Sequence, residues 1–134
     1  FYSSTSSDPD EYSAISFSSY EKDGKSLNYD ETKDAVLVYM YMETDPTYGD
    51  IWKLLPVTLF PTSGQSFVVD YAIMGDYDWL RFDMKVSDGS ALTLTSSDEF
   101  RFRVVIIDGA KTGRKTGVSV NYSNYDEVAS HFGL

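Results

Sequence analysis

The chain contains a single histidine, His131, which limits the histidine-based chemistry that it can support. Serines are abundant, but none lies in the Gly-x-Ser-x-Gly turn that exposes a serine nucleophile between a strand and a helix. Helical spacing puts His131 on the face opposite Tyr125 and Phe132, where we expect it to be exposed to solvent. One histidine without any cysteine also gives too few ligands for a zinc site. The sequence therefore favours a protein without nucleophilic or zinc-dependent catalysis.

Paired carboxylates are the remaining acid–base candidates, and they fall in three stretches: Asp8, Asp10 and Glu11; Asp45 and Asp50; and Asp76 and Asp78. A glycosidase needs two carboxylates on opposite sides of a sugar, in a cleft larger than short strands provide. The loop at residues 75–78 offers oxygen ligands for calcium but lacks the EF-hand pattern. We therefore predict a non-enzymatic protein without a cofactor, and we leave bound calcium open without assigning ligands.

Charge and composition exclude several kinds of partner. The formal net charge is −10 at pH 7, and a field of this sign repels nucleic acid and anionic membrane surfaces. The absence of cysteine excludes disulfides and thiolate catalysis. No window approaches the about 18 apolar residues of a membrane span. Cations, cationic proteins and neutral glycans remain open as partners, and the oligomeric state stays open as well.

Aromatic residues make up 16% of the chain, and several are expected at the surface. Exposed rings can stack on the C–H faces of a sugar while neighbouring polar groups bind its hydroxyls. The candidate binding residues lie in or beside loops, or project from the polar face of a strand: Tyr48, Trp52, Tyr77 and Trp79. The alternative is structural, because tyrosine also covers a sheet face with its hydroxyl in water. Tyr39 and Tyr41, which share one strand face, fit either interpretation.

Alternating apolar residues predict about eight strands separated by turns. The clearest alternation lies at residues 78–87, which we expect to form a hairpin with residues 66–74; its inward-facing residues are Leu80, Phe82, Met84 and Val86. The run at residues 51–60 contains Pro56, which cannot donate to a ladder, so it predicts an edge or bulged strand. The long run at residues 100–109 predicts an interior strand.

Two arginines, Arg101 and Arg103, share one face of that run. Arginines beside an apolar run can indicate an anion site. In a chain as acidic as this one, we instead expect both side chains to neutralise neighbouring carboxylates on an outer sheet face, where exposed ion pairs contribute little to stability.

The C-terminal segment alone has helical periodicity, through Tyr125, Val128, Ala129 and Phe132. Asn124 is a suitable N-cap with Glu127 three residues later, and Gly133 stands where a C′ glycine would. The predicted fold class is therefore all-β: an antiparallel β-sandwich, immunoglobulin-like in the broad sense, with one short C-terminal helix. A small eight-stranded β-barrel is the alternative.

Residues 1–12 are serine-rich and acidic, which predicts a flexible leader or tether before a single β-sandwich domain at residues 13–134. The chain begins at Phe1 without a methionine, so we expect that an N-terminal segment has been removed.

The second half of the chain contains the strand Phe102-Arg103-Val104-Val105-Ile106-Ile107 with Gly109, the segment at residues 122–128, and the ending His131-Phe132-Gly133-Leu134. Through these segments, residues 66–134 resemble small uncharacterised exported lipoproteins of Bacteroidota-type bacteria. It implies an exported protein at the bacterial cell surface or in the periplasm, anchored by a lipid upstream of Phe1. It implies no catalytic residues.

Together these observations predict a non-enzymatic, exported cell-envelope protein that binds a glycan or an envelope protein. Its contact with a membrane would be made only through the lipid anchor. The alternative function is a β-barrel carrier that holds a small apolar ligand among Phe67, Phe82, Met84 and Phe102.

Overall fold

The computed structural model describes residues 10–16, 21–22, 25–26, 29–30, 32–60, 66–74, 79–88, 90, 100–109 and 120–134. The strands, in chain order, are β1 (Asp10–Ser16), β2 (Glu21–Lys22), β3 (Lys25–Ser26), β4 (Ala35–Asp45), β5 (Gly49–Leu54), β6 (Val57–Leu59), β7 (Phe67–Met74), β8 (Trp79–Val86) and β9 (Phe102–Ile107). One helix, α1 (Tyr125–Phe132), follows within the described residues. The chain divides into two compact units, each built from two segments.

The first unit comprises Phe1–Tyr29 and Pro56–Glu99. Its described strands form an antiparallel sheet in the order β1-β8-β7-β6, together with the short β2–β3 ribbon. The predicted hairpin of β7 and β8 is confirmed, and so is the alternation in β8, since its inward-facing residues Leu80, Phe82, Met84 and Val86 are all buried. β1 begins at Asp10, so the last three residues of the predicted leader pair with β8.

The second unit comprises Asp30–Leu55 and Phe100–Leu134. Its described strands form an antiparallel sheet in the order β5-β4-β9, so β4 is the central strand and β9 pairs with β4 alone. The prediction of an interior strand at residues 100–109 is therefore wrong within the described sheet. Both faces of β4 are buried, with Val38 and Met40 on one face and Tyr39 on the other.

The apolar run around Pro56 forms two strands that belong to different sheets. β5 ends at Leu54 and lies at an edge of the second unit's sheet, whereas β6 begins at Val57 and lies at an edge of the first unit's sheet. Because proline has no N–H to give to a ladder, pairing stops at this point. The prediction of an edge strand is confirmed for both halves, but the single strand through residues 51–60 is replaced by two.

The C-terminal helix begins and ends as its sequence predicts. The Asn124 side chain accepts hydrogen bonds from the backbone N–H groups of Asp126 and Glu127, and Gly133 ends the helix in the left-handed conformation with φ 68°. The Glu127 carboxylate accepts from the backbone N–H of Asn121 and from the Asn124 amide. Val128 is fully buried in a core cluster with Tyr39 and Val105, which fixes the helix on one face of the sheet.

The predicted fold class is confirmed. Most described residues are in strands of two antiparallel main sheets, with one short C-terminal helix, an organisation consistent with an all-β sandwich. The barrel alternative is wrong for the described strands, because neither sheet closes on itself. Of the four residues proposed to line a barrel, Phe67, Phe82 and Met84 are buried in the first unit and Phe102 lies half-buried in the second. Within the described ranges, no helix has the length and hydropathy needed to span a membrane.

Candidate functional site

One face of the second unit's sheet brings together two arginines and three aromatic rings. Antiparallel pairing sets Tyr41 beside Trp52, and the backbone N–H of Tyr41 donates to the carbonyl of Arg101. Arg103 pairs with Tyr39 of β4, which lies two residues before Tyr41 on the same face of that strand. We call this surface the arginine–aromatic face and define it as Tyr41, Trp52, Arg101, Arg103 and Tyr125.

The outer part of the face is the stacked pair of Arg101 and Tyr41. The Arg101 guanidinium carbon lies 3.5 Å from the centre of the Tyr41 ring, a cation–π contact with an exposed arginine. Thr44 has one hydroxyl hydrogen and gives it to Asp50 at 2.6 Å, so the Tyr41 hydroxyl must be the donor in its 2.7 Å bond to Thr44. This chain of hydrogen bonds fixes the ring on which Arg101 rests.

The inner part of the face is Arg103, held between two rings. Its guanidinium carbon lies 4.0 Å from the centre of the Trp52 ring and 4.6 Å from that of Tyr125. The two ring centres are 6.3 Å apart and tilted by 44°, so they form an open wedge around the cation. Trp52 also meets Tyr41 edge to face at 5.5 Å, which joins the inner and outer parts.

Tyr39 packs beneath the aromatic rings of the arginine–aromatic face. It is fully buried and meets Tyr125 edge to face, with ring centres 5.2 Å apart. Its hydroxyl donates to the backbone carbonyl of Tyr122 at 2.7 Å, just before the helix. Because Tyr125 is the first residue of α1, the helix cap and the sheet together set the position of one wall around Arg103.

Neither Arg101 nor Arg103 forms an ion pair with a carboxylate among the described residues. Within the described part of the chain the ion pairs are Lys33–Asp30 and Arg81–Asp83, and neither involves Arg101 or Arg103. The prediction that both arginines pair with neighbouring acids is therefore wrong among these residues. The reason is register: across β4 and β5 their neighbours on this face are rings, so both cations stack on π-systems instead.

Trp52 has a buried polar atom. Its indole Nε1 is inaccessible to solvent and has no hydrogen-bond acceptor among the described residues. A buried donor without an acceptor costs about 1–3 kcal/mol, so ring packing and the Arg103 contact must offset this cost.

The four aromatic residues predicted from the sequence lie in different places. Tyr48 is 84% exposed in the turn between β4 and β5, and Trp52 lies half-buried on β5 of the same hairpin, within the arginine–aromatic face. Trp79 is 43% exposed on β8 of the first unit. Tyr77 lies outside the described residues. The structure thus brings Tyr48 and Trp52 onto one hairpin.

The acid–base candidates assemble no metal centre in the described ranges, where no group of three metal-ligating side chains occurs. Asp45 and Asp50 are engaged in the β4–β5 turn, where Asp45 accepts from the backbone N–H groups of Thr47 and Tyr48. Asp8, Asp76 and Asp78 lie outside the described residues. His131 is half-buried against the Phe132 ring, at 4.7 Å between centres, so the prediction of an exposed histidine is wrong.

An ordered turn precedes β4. Asp30 accepts from the Lys33 ammonium at 2.6 Å, from the Thr32 hydroxyl at 2.6 Å and from the Thr32 backbone N–H at 3.0 Å. These bonds, led by that from Lys33, lower the pKa of Asp30 to about 2. The same partner raises the pKa of Lys33. The turn is connected to the end of β9, because the backbone N–H of Gly109 donates to Asp34 at 3.2 Å.

The sequence left Tyr41 open between a binding and a structural role, assigned Arg101 and Arg103 to neighbouring acids instead of an anion site, and gave Tyr125 only a place on the helix face. The available signal was the period-two spacing of two tyrosines on β4 and of two arginines on β9. What joins them is the pairing of strands distant in sequence, and this pairing has no local signature. Family models, curated proteins and solved structures were all compared with the chain, and none of them matches it.

Proposed function

We propose that this protein is a non-enzymatic binding module and that it binds a glycan on the arginine–aromatic face. The observation that carries the proposal is the stacking of Arg101 and Arg103 on rigidly held rings without a carboxylate partner among the described residues. Stacking fixes the plane of each guanidinium while leaving its N–H donors to bind another acceptor.

Preorganisation supports a binding role. Ordering a long side chain costs conformational entropy. In this protein the cost is incurred during folding, because the wedge of rings orders Arg103 and the hydrogen-bonded ring orders Arg101. A ligand that meets donors already in position loses less affinity to ordering.

The chemistry around the arginines favours a carbohydrate. Sugars present apolar C–H faces beside hydroxyls, and the face has ring surfaces next to guanidinium donors, the Thr44 hydroxyl and the Asp50 carboxylate. Tyr48, at the turn of the same hairpin, adds an aromatic ring that is 84% exposed. These aromatic rings and polar groups match a sugar ring, which has apolar C–H faces beside polar hydroxyls.

A glycan array tests the proposal. We expect the purified protein to bind a defined set of glycans, and Tyr41→Ala to reduce that binding at least tenfold, because the substitution removes the support of Arg101. Lys53→Ala is the matched control, since Lys53 is exposed on β5 but points away from the arginine–aromatic face by strand alternation. Failure to bind any glycan, or equal binding by the wild type and Tyr41→Ala, would contradict the proposal.

We also propose that the protein acts in the cell envelope, exported and held by a lipid anchor. This proposal is supported by the resemblance of residues 66–134 to exported lipoproteins of Bacteroidota-type bacteria. Fractionation of the producing cells, with protease treatment of intact cells, tests it. We expect the protein in the envelope fraction and labelled by palmitate, and recovery only from the cytosol would contradict export.

A further inference from the structure

We infer that the glycan recognised by the arginine–aromatic face carries an isolated carboxylate, as a uronic acid does, and that Arg101 and Arg103 together bind the sugar that bears this group. The inference rests on the proposed function and specifies its ligand. Three features of the structure carry it: the spacing of the two arginines along the chain, the absence of a carboxylate partner for either among the described residues, and the charge of the rest of the molecule.

The spacing suits one acidic sugar. Arg101 directly precedes β9 and Arg103 lies within it, two residues apart on one face, so their Cα atoms are separated by about 6.6 Å at the usual strand rise. Both side chains lie over rings that belong to a single packed cluster. This distance is comparable with the width of a pyranose ring, which allows one arginine to bind the carboxylate and the other a neighbouring oxygen of the same sugar.

Neither guanidinium is satisfied by an acid of the chain within the described residues. The acidic group in the hydrogen-bond chain beneath Arg101 is Asp50, which already accepts from Thr44 and so supports Tyr41. A guanidinium pairs most strongly with a carboxylate, because two parallel N–H donors match its two oxygens. The acceptor that the face lacks is therefore an anionic one.

The charge of the whole chain limits how many anionic groups the ligand carries. With a formal net charge of −10, the protein repels polyanions over distances comparable with the Debye length, about 10 Å at 0.1 M salt. Two local cations can overcome this field for one carboxylate, but a polysulfated chain would place many further charges against acidic surface. A largely neutral glycan with single uronic acid residues fits both conditions.

The test compares two oligosaccharides that differ only at the carboxyl group. One ends in glucuronic acid, and the other is its carboxyl-reduced counterpart, which ends in glucose. Isothermal titration calorimetry gives the affinity of each for the wild type, Arg101→Gln, Arg103→Gln and Lys53→Gln. Lys53→Gln is the matched control because it changes the net charge by the same amount from the other face of the sheet.

We expect the uronic acid oligosaccharide to bind the wild type, and Arg101→Gln to weaken that binding about 10- to 100-fold, as for a hydrogen bond to a charged group. The reduced oligosaccharide should bind weakly and equally to the wild type and Arg101→Gln. Lys53→Gln should bind as the wild type does. Arg101 is exposed, so its variant should keep the wild-type urea midpoint even if Arg103→Gln, which disturbs packing between two rings, does not.

Different failures point to different errors. If both oligosaccharides bind equally and Arg101→Gln has no effect, the carboxylate inference is wrong while glycan binding stands. If array and calorimetry detect no glycan at all, the proposed function is wrong too. If an extended peptide with alternating glutamates binds through Arg101 and the uronic acid does not, the site recognises acidic protein, which overturns the inference.

Discussion

At the scale of single residues, Trp52 combines favourable and unfavourable contacts. Its ring packs against Tyr41 and Tyr125 and under Arg103, yet its indole N–H is buried without an acceptor among the described residues. The sequence predicted Trp52 as a surface ring, but it could not reveal the cation above that ring or the unpaired N–H beneath the surface. Both depend on neighbours from β4, β9 and α1.

A substitution separates these two effects. We expect Trp52→Phe to keep the free energy of unfolding within about 1 kcal/mol of the wild type, because it removes a donor that makes no hydrogen bond. Trp52→Ala should lose about 3 kcal/mol, because it removes the ring itself. Urea denaturation followed by circular dichroism measures both. A loss above about 2 kcal/mol in Trp52→Phe would show that the indole N–H has an acceptor.

A second prediction at this scale concerns the pKa of Asp30. Hydrogen bonds from Lys33 and Thr32 lower it to about 2 in the folded protein, against 3.8 for an ordinary aspartate. A lowered folded-state pKa stabilises the fold above the unfolded value, and this contribution disappears as pH falls from about 4 to about 2. An NMR titration of the Asp30 carboxyl carbon should give a midpoint near 2, and Lys33→Met should move it upward. A wild-type midpoint near 3.8 would contradict the hydrogen-bond arrangement.

At the scale of secondary structure, local patterns predicted single elements well. The alternation of β8, the hairpin of β7 and β8 and the capped helix α1 all follow from spacing and from capping residues. Local patterns did not predict the central position of β4 or the division of the apolar run at Pro56 into two strands. Strand order depends on pairings between distant segments, and several apolar strands of similar composition compete for each place.

One element junction gives a sharp test. Gly109 follows β9 and lies against the backbone before β4, so that a Cβ atom added there would collide with the carbonyl of Lys33. We expect Gly109→Ala to lower the free energy of unfolding by about 1–3 kcal/mol, the usual cost of overpacking. Urea denaturation measures the loss.

The control for Gly109→Ala is the double variant with Lys33→Ala. Because the collision involves the main-chain carbonyl of Lys33, truncating its side chain should not restore stability. Recovery in the double variant would instead assign the effect to the Lys33 side chain. No loss in Gly109→Ala would mean that the two segments separate easily.

At the scale of the whole molecule, the net charge of −10 contrasts with the two cations of one sheet face, which stack on aromatic rings and pair with no acid in the described part of the chain. The overall charge, and with it the exclusion of nucleic acid as an expected partner, could be stated from composition alone. The location of the cations could not, because it required the register of β9 against β4.

This contrast predicts behaviour toward polyanions. We expect a heparin column not to retain the protein at low salt, because repulsion by the whole chain outweighs attraction by two arginines. A basic protein loaded on the same column shows that the resin binds. Retention at low salt that disappears in Arg101→Gln would contradict the prediction and favour a polyanionic ligand.

The central position of β4 determines when the second unit can form during synthesis. β4 leaves the ribosome well before its partner β9 and the helix α1, which follow it in the chain. Until then one edge of β4 has no native partner, and Tyr39, fully buried in the finished protein, has no covering helix. Unpaired apolar strand edges are prone to pair with other chains. Translation must therefore reach the C-terminal helix before this aromatic strand is protected, and a ribosome that stops early releases an aggregation-prone product.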